Sequence, residues 1–226
     1  MWLIAIIGDS YIEGFNQDVQ NSIGNKIMRE YPVKCYEMGY SGYDFASIVH
    51  LLGAYKSEFL NVEHIYISLN NSDFGRDRNT VTERQILRAN SWIAKIYRNI
   101  KLLMFIKRQN FLKFTKNKST VKTSSKEIVK SQEVKNTLLL LKKIENLRPK
   151  ITFLLDSEKV DISILNALST FDTLDYSHQM KNSKAQTTFG FDKHWNDAGR
   201  QVIADVILSS MTRLDAQNRK NGTTNK

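Results

Sequence analysis

Ser10 follows directly on an unbroken apolar run, Trp2 to Ile7, from which only Gly8 and Asp9 separate it; far downstream, Asp192 and His194 flank a single lysine and lead into Trp195 and Asn196. A hydroxyl, an imidazole and a carboxylate are the groups that nucleophilic acyl chemistry combines. A serine hydroxyl is weak at neutral pH and needs an adjacent base to take its proton. A histidine is the common base, and a carboxylate behind it holds the ring tautomer and stabilises the imidazolium. An apolar run of this length ended by a turn signal reads as a buried strand. Gly8 lets the backbone turn sharply, so Ser10 is expected at the carboxyl end of the first strand, the edge where open α/β sheets bind ligands.

The elements that must position these groups alternate along the chain. After the strand Trp2–Ile7, the residues Val19, Ile23, Ile27 and Met28 recur at helical spacing, and Pro32 closes that segment. A second strand is expected over Val33–Met38, a helix from about Phe45 to Tyr55 with Ile48, Leu51 and Leu52 on one face, and a third strand over Val62–Leu69. Thr82 with Gln85 resembles a capping box opening a helix that runs through Ile86, Leu87, Trp92, Ile93, Ile96 and Ile100. Residues 113–131 turn to Lys, Ser, Thr and Asn and read as loop or disorder. An amphipathic helix follows over Val134–Leu147, ended near Pro149; strands over Ile151–Leu155 and Phe171–Leu174 flank a short helix at Ile162–Leu168, and a last helix runs from about Asp197 to Leu214. Strands separated by helices imply βαβ units and a mostly parallel sheet. The expectation is a three-layer α/β/α sandwich forming one domain over residues 1–215, with a basic helical insertion at about 80–148 and a disordered polar tail over 216–226.

Composition narrows the classes. The 226 residues are 41% apolar, enough for one ordinary core. No stretch approaches a membrane span, and the N-terminal apolar run lacks the basic flank of a secretory signal, so a cytoplasmic location is expected. The single cysteine, Cys35, excludes an internal disulfide framework and reads as a structural thiol. The four histidines (His50, His64, His178, His194) show no metal-binding spacing, so neither metal nor cofactor is expected. Much of the net charge of +10 falls in the middle, where Lys101, Lys107, Arg108, Lys113, Lys116 and Lys118 occur with almost no acids. Such a surface favours an anionic polymer or an acidic membrane, the latter through the amphipathic run 96–108, unless it is simply a solvated face. No pattern of specific nucleic-acid recognition accompanies it.

Three blocks together resemble the GDSL/SGNH hydrolases: Ile7-Gly-Asp-Ser-Tyr-Ile-Glu-Gly14, Met38-Gly-Tyr-Ser-Gly-Tyr-Asp44 and Asp192-Lys-His-Trp-Asn-Asp-Ala-Gly199. The resemblance implies a flavodoxin-like five-stranded α/β/α fold and an esterase, lipase or acyltransferase. It implies Ser10 as nucleophile, His194 as base and Asp192 as the orienting acid. It also implies an oxyanion hole from the Ser10 N–H, the Gly42 N–H and a side-chain amide after the third strand. That family's Gly-x-Asn-Asp is here Leu69-Asn-Asn-Ser-Asp73, so Ser72 or Asn71 fills the asparagine's place, with Asn71 the better donor and Asn70 less well placed. The single residue between Asp192 and His194 resembles relatives that add or remove acetyl groups on polysaccharides, and points to an O-acylated sugar substrate.

Tyr43 and Trp195 are expected to line the substrate, together with Asp9, which also orders the turn beneath Ser10. Tyr40 and Phe45 are nearby aromatics, and His178 reads as a surface histidine close to the mouth. The leading function is hydrolysis of an acyl ester through a serine acyl-enzyme. A sugar O-acetyltransferase would use the same triad, and a non-catalytic module holding an anionic polymer is the reading from a different class.

Overall fold

The computed structural model describes residues 2–14, 17–74 and 123–222. Its centre is a sheet of five parallel strands: β1 (Trp2–Gly8), β2 (Val33–Gly39), β3 (His64–Ser68), β4 (Ile151–Leu155) and β5 (Asp172–Asp175), in the spatial order β2-β1-β3-β4-β5. This is the doubly wound, flavodoxin-like order, and its direction reverses between β1 and β3. Strands buried on both faces need apolar side chains throughout, which is why β1 reads Leu-Ile-Ala-Ile-Ile without alternation.

Successive side chains nevertheless feed two separate cores. Ala5, Ile7, Ile65, Ile67, Ile151 and Phe153 face α3 (Phe45–Ala54) and the long helix Thr123–Lys143, while Ile4, Ile6, Tyr66 and Leu154 face α2 (Ile23–Glu30) and the last helix, Asp197–Gly222. Each aliphatic side chain so buried contributes roughly 1.5–3 kcal/mol, and because every strand pair is parallel all the carboxyl ends lie at one edge.

The expected strands appear within two residues at each end. The helices depart more. The segment with Val19, Ile23, Ile27 and Met28 is not one helix: a 3-10 turn at Val19–Asn21 gives way to α2, because the Ser22 hydroxyl accepts the Asn25 N–H (3.2 Å) and starts a new helix there. Val19 and Met28 are left exposed. Residues 123–131, expected as loop, form the first turns of the helix Thr123–Lys143, which therefore extends eleven residues N-terminal of the apolar pattern that begins at Val134. The tail expected to fray after Ala216 continues as helix to Gly222, and the Tyr31 hydroxyl ties that helix to the body by donating to Asp215 (3.0 Å). The capping box at Thr82, the helix through Ile100, the run 96–108 and the basic residues 101–118 lie outside the described residues. No helix among the described residues is long and apolar enough to cross a membrane.

One buried polar pair ties the fold to pH. His64 on β3 is bonded to the Thr152 hydroxyl on β4 (2.8 Å), and burial pushes its pKa down from 6.5 to about 4 despite the carboxylate of Asp172. The unfolded chain therefore takes up a proton between pH 6.5 and 4 that the folded chain refuses. The stabilisation from the neutral ring is complete above about pH 6.5 and is lost as pH falls toward 4. Wild-type protein should lose melting temperature over that interval more steeply than His64→Gln; parallel melting curves would show that His64 is not responsible.

Candidate active site

Ser10 opens α1 (Ser10–Glu13), a single turn set on the end of β1. Asp9 caps it: its Oδ1 accepts the Tyr11 N–H (3.0 Å), its carbonyl accepts the Ile12 and Glu13 N–H groups, and Gly14 closes the turn. α1 lies directly over the end of β2. A Cβ on Gly39 would come within 1.9 Å of the Glu13 nitrogen, so only glycine permits the approach. The following turn is pinned to α1 through Tyr40 N–H to the Gly8 carbonyl (3.0 Å) and Ser41 N–H to the Glu13 carboxylate (2.8 Å). Gly42 sits in that turn with φ +83°, exposed, with nothing within 4 Å of where a side chain would stand.

The opposite wall is the loop before the last helix. Thr188 and Trp195 form an antiparallel bridge, the Phe189 N–H donates to the His194 carbonyl (3.2 Å), and the Asp192 N–H donates to the Phe189 carbonyl (3.3 Å). Asn196 anchors the loop from both sides. Its amide donates to the Gln186 and Thr188 carbonyls, and its oxygen accepts the Gly199 N–H, capping the helix.

These two walls bring the three sequence-predicted groups together. His194 Nε2 lies 2.7 Å from Ser10 Oγ, and His194 Nδ1 lies 2.7 Å from Asp192 Oδ1. An ionised carboxylate only accepts, so Nδ1 carries the proton and Nε2 is left to accept from the Ser10 hydroxyl. Partial burial works against the Asp192 charge, but the hydrogen bonds from the His194 ring and backbone N–H outweigh it and hold the carboxyl below its ordinary pKa. Tyr11, which the sequence reading did not single out, supports the ring: its centroid is 4.8 Å from that of His194 and 5.0 Å from that of Trp195.

At the reversal point the end of β3 meets the nucleophile turn, and here the expectation for Asn71 is corrected. Asn71 is exposed, and its Oδ1 accepts the Asp161 N–H (3.0 Å) on the side away from β1. Asn70 takes the position beside the serine: its amide donates to Asp9 Oδ2 (3.3 Å), and the Asp73 carboxylate accepts its backbone N–H (2.6 Å). Two further expectations change. Asp9 is buried, its Oδ1 accepts the Tyr11 N–H within the turn and its Oδ2 accepts the Asn70 amide from beyond β3, and burial raises its pKa against those hydrogen bonds; its carboxylate braces the turn against the end of β3. Trp195 is also buried, edge-on to Tyr11 and Tyr176, and acts as a wedge beneath the loop. Tyr43 remains half-exposed and stacks on Tyr40, with centroids 4.7 Å apart. His178 is exposed and bonded to Asn182, and burial pushes the Cys35 thiol up to about 12, so it stays protonated. No cluster of metal-binding side chains occurs among the described residues.

Beneath the site, Arg200 joins the histidine side to the serine side. It is almost fully buried; Nη2 donates to Glu37 (2.6 Å) on β2 and to the Ile12 carbonyl (3.4 Å) of α1, and Nε donates to the Asn21 carbonyl (3.1 Å).

Comparison with solved structures gives the class. The chain superposes on the psychrotrophic esterase EstA from Pseudoalteromonas sp. with TM-score 0.57 and 11% identity, covering 94% of this chain and 97% of that one. It matches a lipolytic protein of the G-D-S-L family from Veillonella parvula with TM-score 0.51 and 14% identity, over 94% and 100% of the two chains. It also matches a two-domain esterase active on acetylated mannans with TM-score 0.55 and 10% identity, over 95% of this chain and half of that protein. No protein-family model and no curated protein sequence matches the chain. The fold is that of the G-D-S-L lipolytic proteins, as the three sequence blocks implied.

Removing one member of a buried ion pair strands the other. Arg200→Met should therefore cost about 3–5 kcal/mol in urea denaturation. Adding Glu37→Gln should recover much of the loss, because it removes the carboxylate charge that Arg200 no longer neutralises. A double variant no more stable than Arg200→Met would mean that packing, not charge, sets the cost.

Proposed function

We propose that this chain is a serine-dependent acyl-ester hydrolase that works through an acyl-enzyme and removes acyl groups from an O-acylated carbohydrate. The observation that carries the reading is the unbroken relay Ser10 Oγ–His194 Nε2–Asp192, with 2.7 Å at each link. Ser10 Oγ attacks the ester carbonyl carbon while His194 Nε2 takes its proton. The tetrahedral intermediate collapses, the bond to the leaving alcohol breaks, and His194 returns the proton to that alcohol. Water then attacks the acyl-serine with His194 again as base, releasing the acid and restoring the Ser10 hydroxyl. Asp192 keeps its charge throughout and stabilises the imidazolium.

The negative charge on the carbonyl oxygen needs donors already in place. The Ser10 N–H, the Gly42 N–H and the Asn70 amide are the donors this reading assigns. Asn70 is held ready by Asp73 at its backbone and Asp9 at its side chain. The side chains of His194 and Asp192 are 26% and 32% exposed, so water reaches the base, which favours hydrolysis over transfer to a second sugar by the same residues. Support for a carbohydrate comes from the single residue between Asp192 and His194 and from the mannan esterase among the proteins of like fold.

A fluorophosphonate probe should label Ser10 and fail with Ser10→Ala. His194→Ala should lower hydrolysis of p-nitrophenyl acetate by about 10³-fold or more. Full turnover in both variants would discard the reading. Asn70→Ala should lower kcat by about 10²–10³-fold, the usual size for one oxyanion donor, whereas Asn71→Ala should leave kcat near wild type. The reverse pattern would return the role to Asn71.

A further inference from the structure

A cavity of about 1020 Å³ begins at the Gly42 turn and runs down the sheet edge beside α3 to Val62. Its floor is formed by Leu3 and Ala5 of β1 with Met38 of the edge strand β2; Leu3 and Met38 are only partly buried there, whereas Ala5 is fully buried in the core beneath α3. From Leu3 to the carboxyl end of β1 is about 17 Å at the usual rise per strand residue. Its sides carry four tyrosines, Tyr36, Tyr40, Tyr43 and Tyr55. Three of them, Tyr36, Tyr40 and Tyr55, are 58%, 46% and 53% exposed, so these rings are turned toward solvent along one trough and do not fill a core.

The chemistry of the lining selects among ligands. The trough has an apolar base, with Leu51, Phe59 and Val62 beside the strand residues, and above it apolar ring faces with hydroxyls at their edges and the polar groups of Ser47, His50, Glu58 and Asn61. A hydrocarbon chain laid there would cover those polar groups without satisfying them, which is unfavourable. A sugar chain presents C–H faces to aromatic rings and hydroxyls to the polar edges, the pairing that amphipathic tyrosines suit. Among the described residues that line the cavity there is no lysine or arginine, while Glu58 does line it, so these residues offer a neutral saccharide more than they offer an anionic one.

We propose that the tyrosine trough is the subsite for a neutral saccharide chain several rings long, which it holds while an acyl group on the chain is delivered past Gly42 to Ser10. The inference rests on the esterase reading for its catalytic half and on the cavity alone for its binding half. Tyr36 and Tyr55 stand away from the relay and are exposed, so Tyr36→Ala/Tyr55→Ala is expected to fold, as circular dichroism would verify.

Two measurements separate the halves. In the Ser10→Ala background, calorimetric titration with mannopentaose and with xylopentaose should show binding of at least one. The Tyr36→Ala/Tyr55→Ala change should weaken that binding about tenfold or more, as expected for two aromatic contacts. With Ser10 restored, the double change should lower kcat/KM for the acetylated form of the bound pentaose by a similar factor and leave p-nitrophenyl acetate turnover unchanged. Three outcomes overturn the proposal: no binding of either pentaose, an equal loss on both esters, or a loss confined to p-nitrophenyl octanoate, which would make the trough an acyl groove. If no ester is turned over and no fluorophosphonate label appears, while tyrosine-dependent pentaose binding persists, the esterase reading fails and the saccharide site stands.

Discussion

A single hydrogen bond, from Ser10 to His194 across 184 residues of sequence, sets the demands on the rest of the molecule. Such a bond weakens steeply with small errors of distance or angle, so the end of the first strand and the loop before the last helix must be held in register by contacts of their own. They are held at three levels. Tyr11 lies between the imidazole and Trp195, Asn196 fixes the loop to the helix it caps, and Arg200 reaches from that helix to the Ile12 carbonyl and Glu37 beneath the serine turn. Tyr11 and Arg200 join elements from opposite ends of the chain, and Asn196 makes the loop and the last helix one unit.

Placement at the reversal of the sheet explains why so many polar groups collect there without destabilising the fold. In doubly wound sheets the strand ends at such a reversal are the usual place for a crevice. Asp9 is buried there, yet its carboxylate accepts the Tyr11 N–H and the Asn70 amide. Asp73 is buried too and accepts the Asn70 backbone N–H. Buried polar groups satisfied in this way rigidify a site. The result is a braced Ser10 turn faced by a histidine whose side chain is partly open to solvent.

The parts of the fold legible in the sequence were those whose signal is local and one-sided. The apolar runs of β1 and β4 admit no reading except buried strand, and Gly8, Gly39 and Gly42 mark the turns after β1 and β2. The helices were harder. Ser22 restarts a helix inside what looked like one period, and the helix Thr123–Lys143 begins eleven residues before its first expected residue, Val134. At Ser22 the deciding group is a capping hydroxyl, which apolar periodicity does not register, and in the second helix the first turns lie in a Ser- and Thr-rich stretch that composition reads as loop. The site showed the same limit. Ser10, Asp192 and His194 were readable because their neighbours set them apart, while Asn70 and Asn71 are identical side chains one position apart, and no local property separates them.

The sequence by itself determined the chemistry on offer and the order of the layers, because residue type dictates what a group can donate, accept or bury, and because a strand's apolar pattern follows from burial on both faces. Only the tertiary structure decided which of two adjacent asparagines turns toward the serine, that Trp195 and Asp9 brace the site from beneath it, and that Arg200 ties its two halves together. Those outcomes depend on the direction in which a side chain leaves the backbone once the strands have twisted and the helices have packed, and direction is a property of the assembled chain that residue identity does not encode.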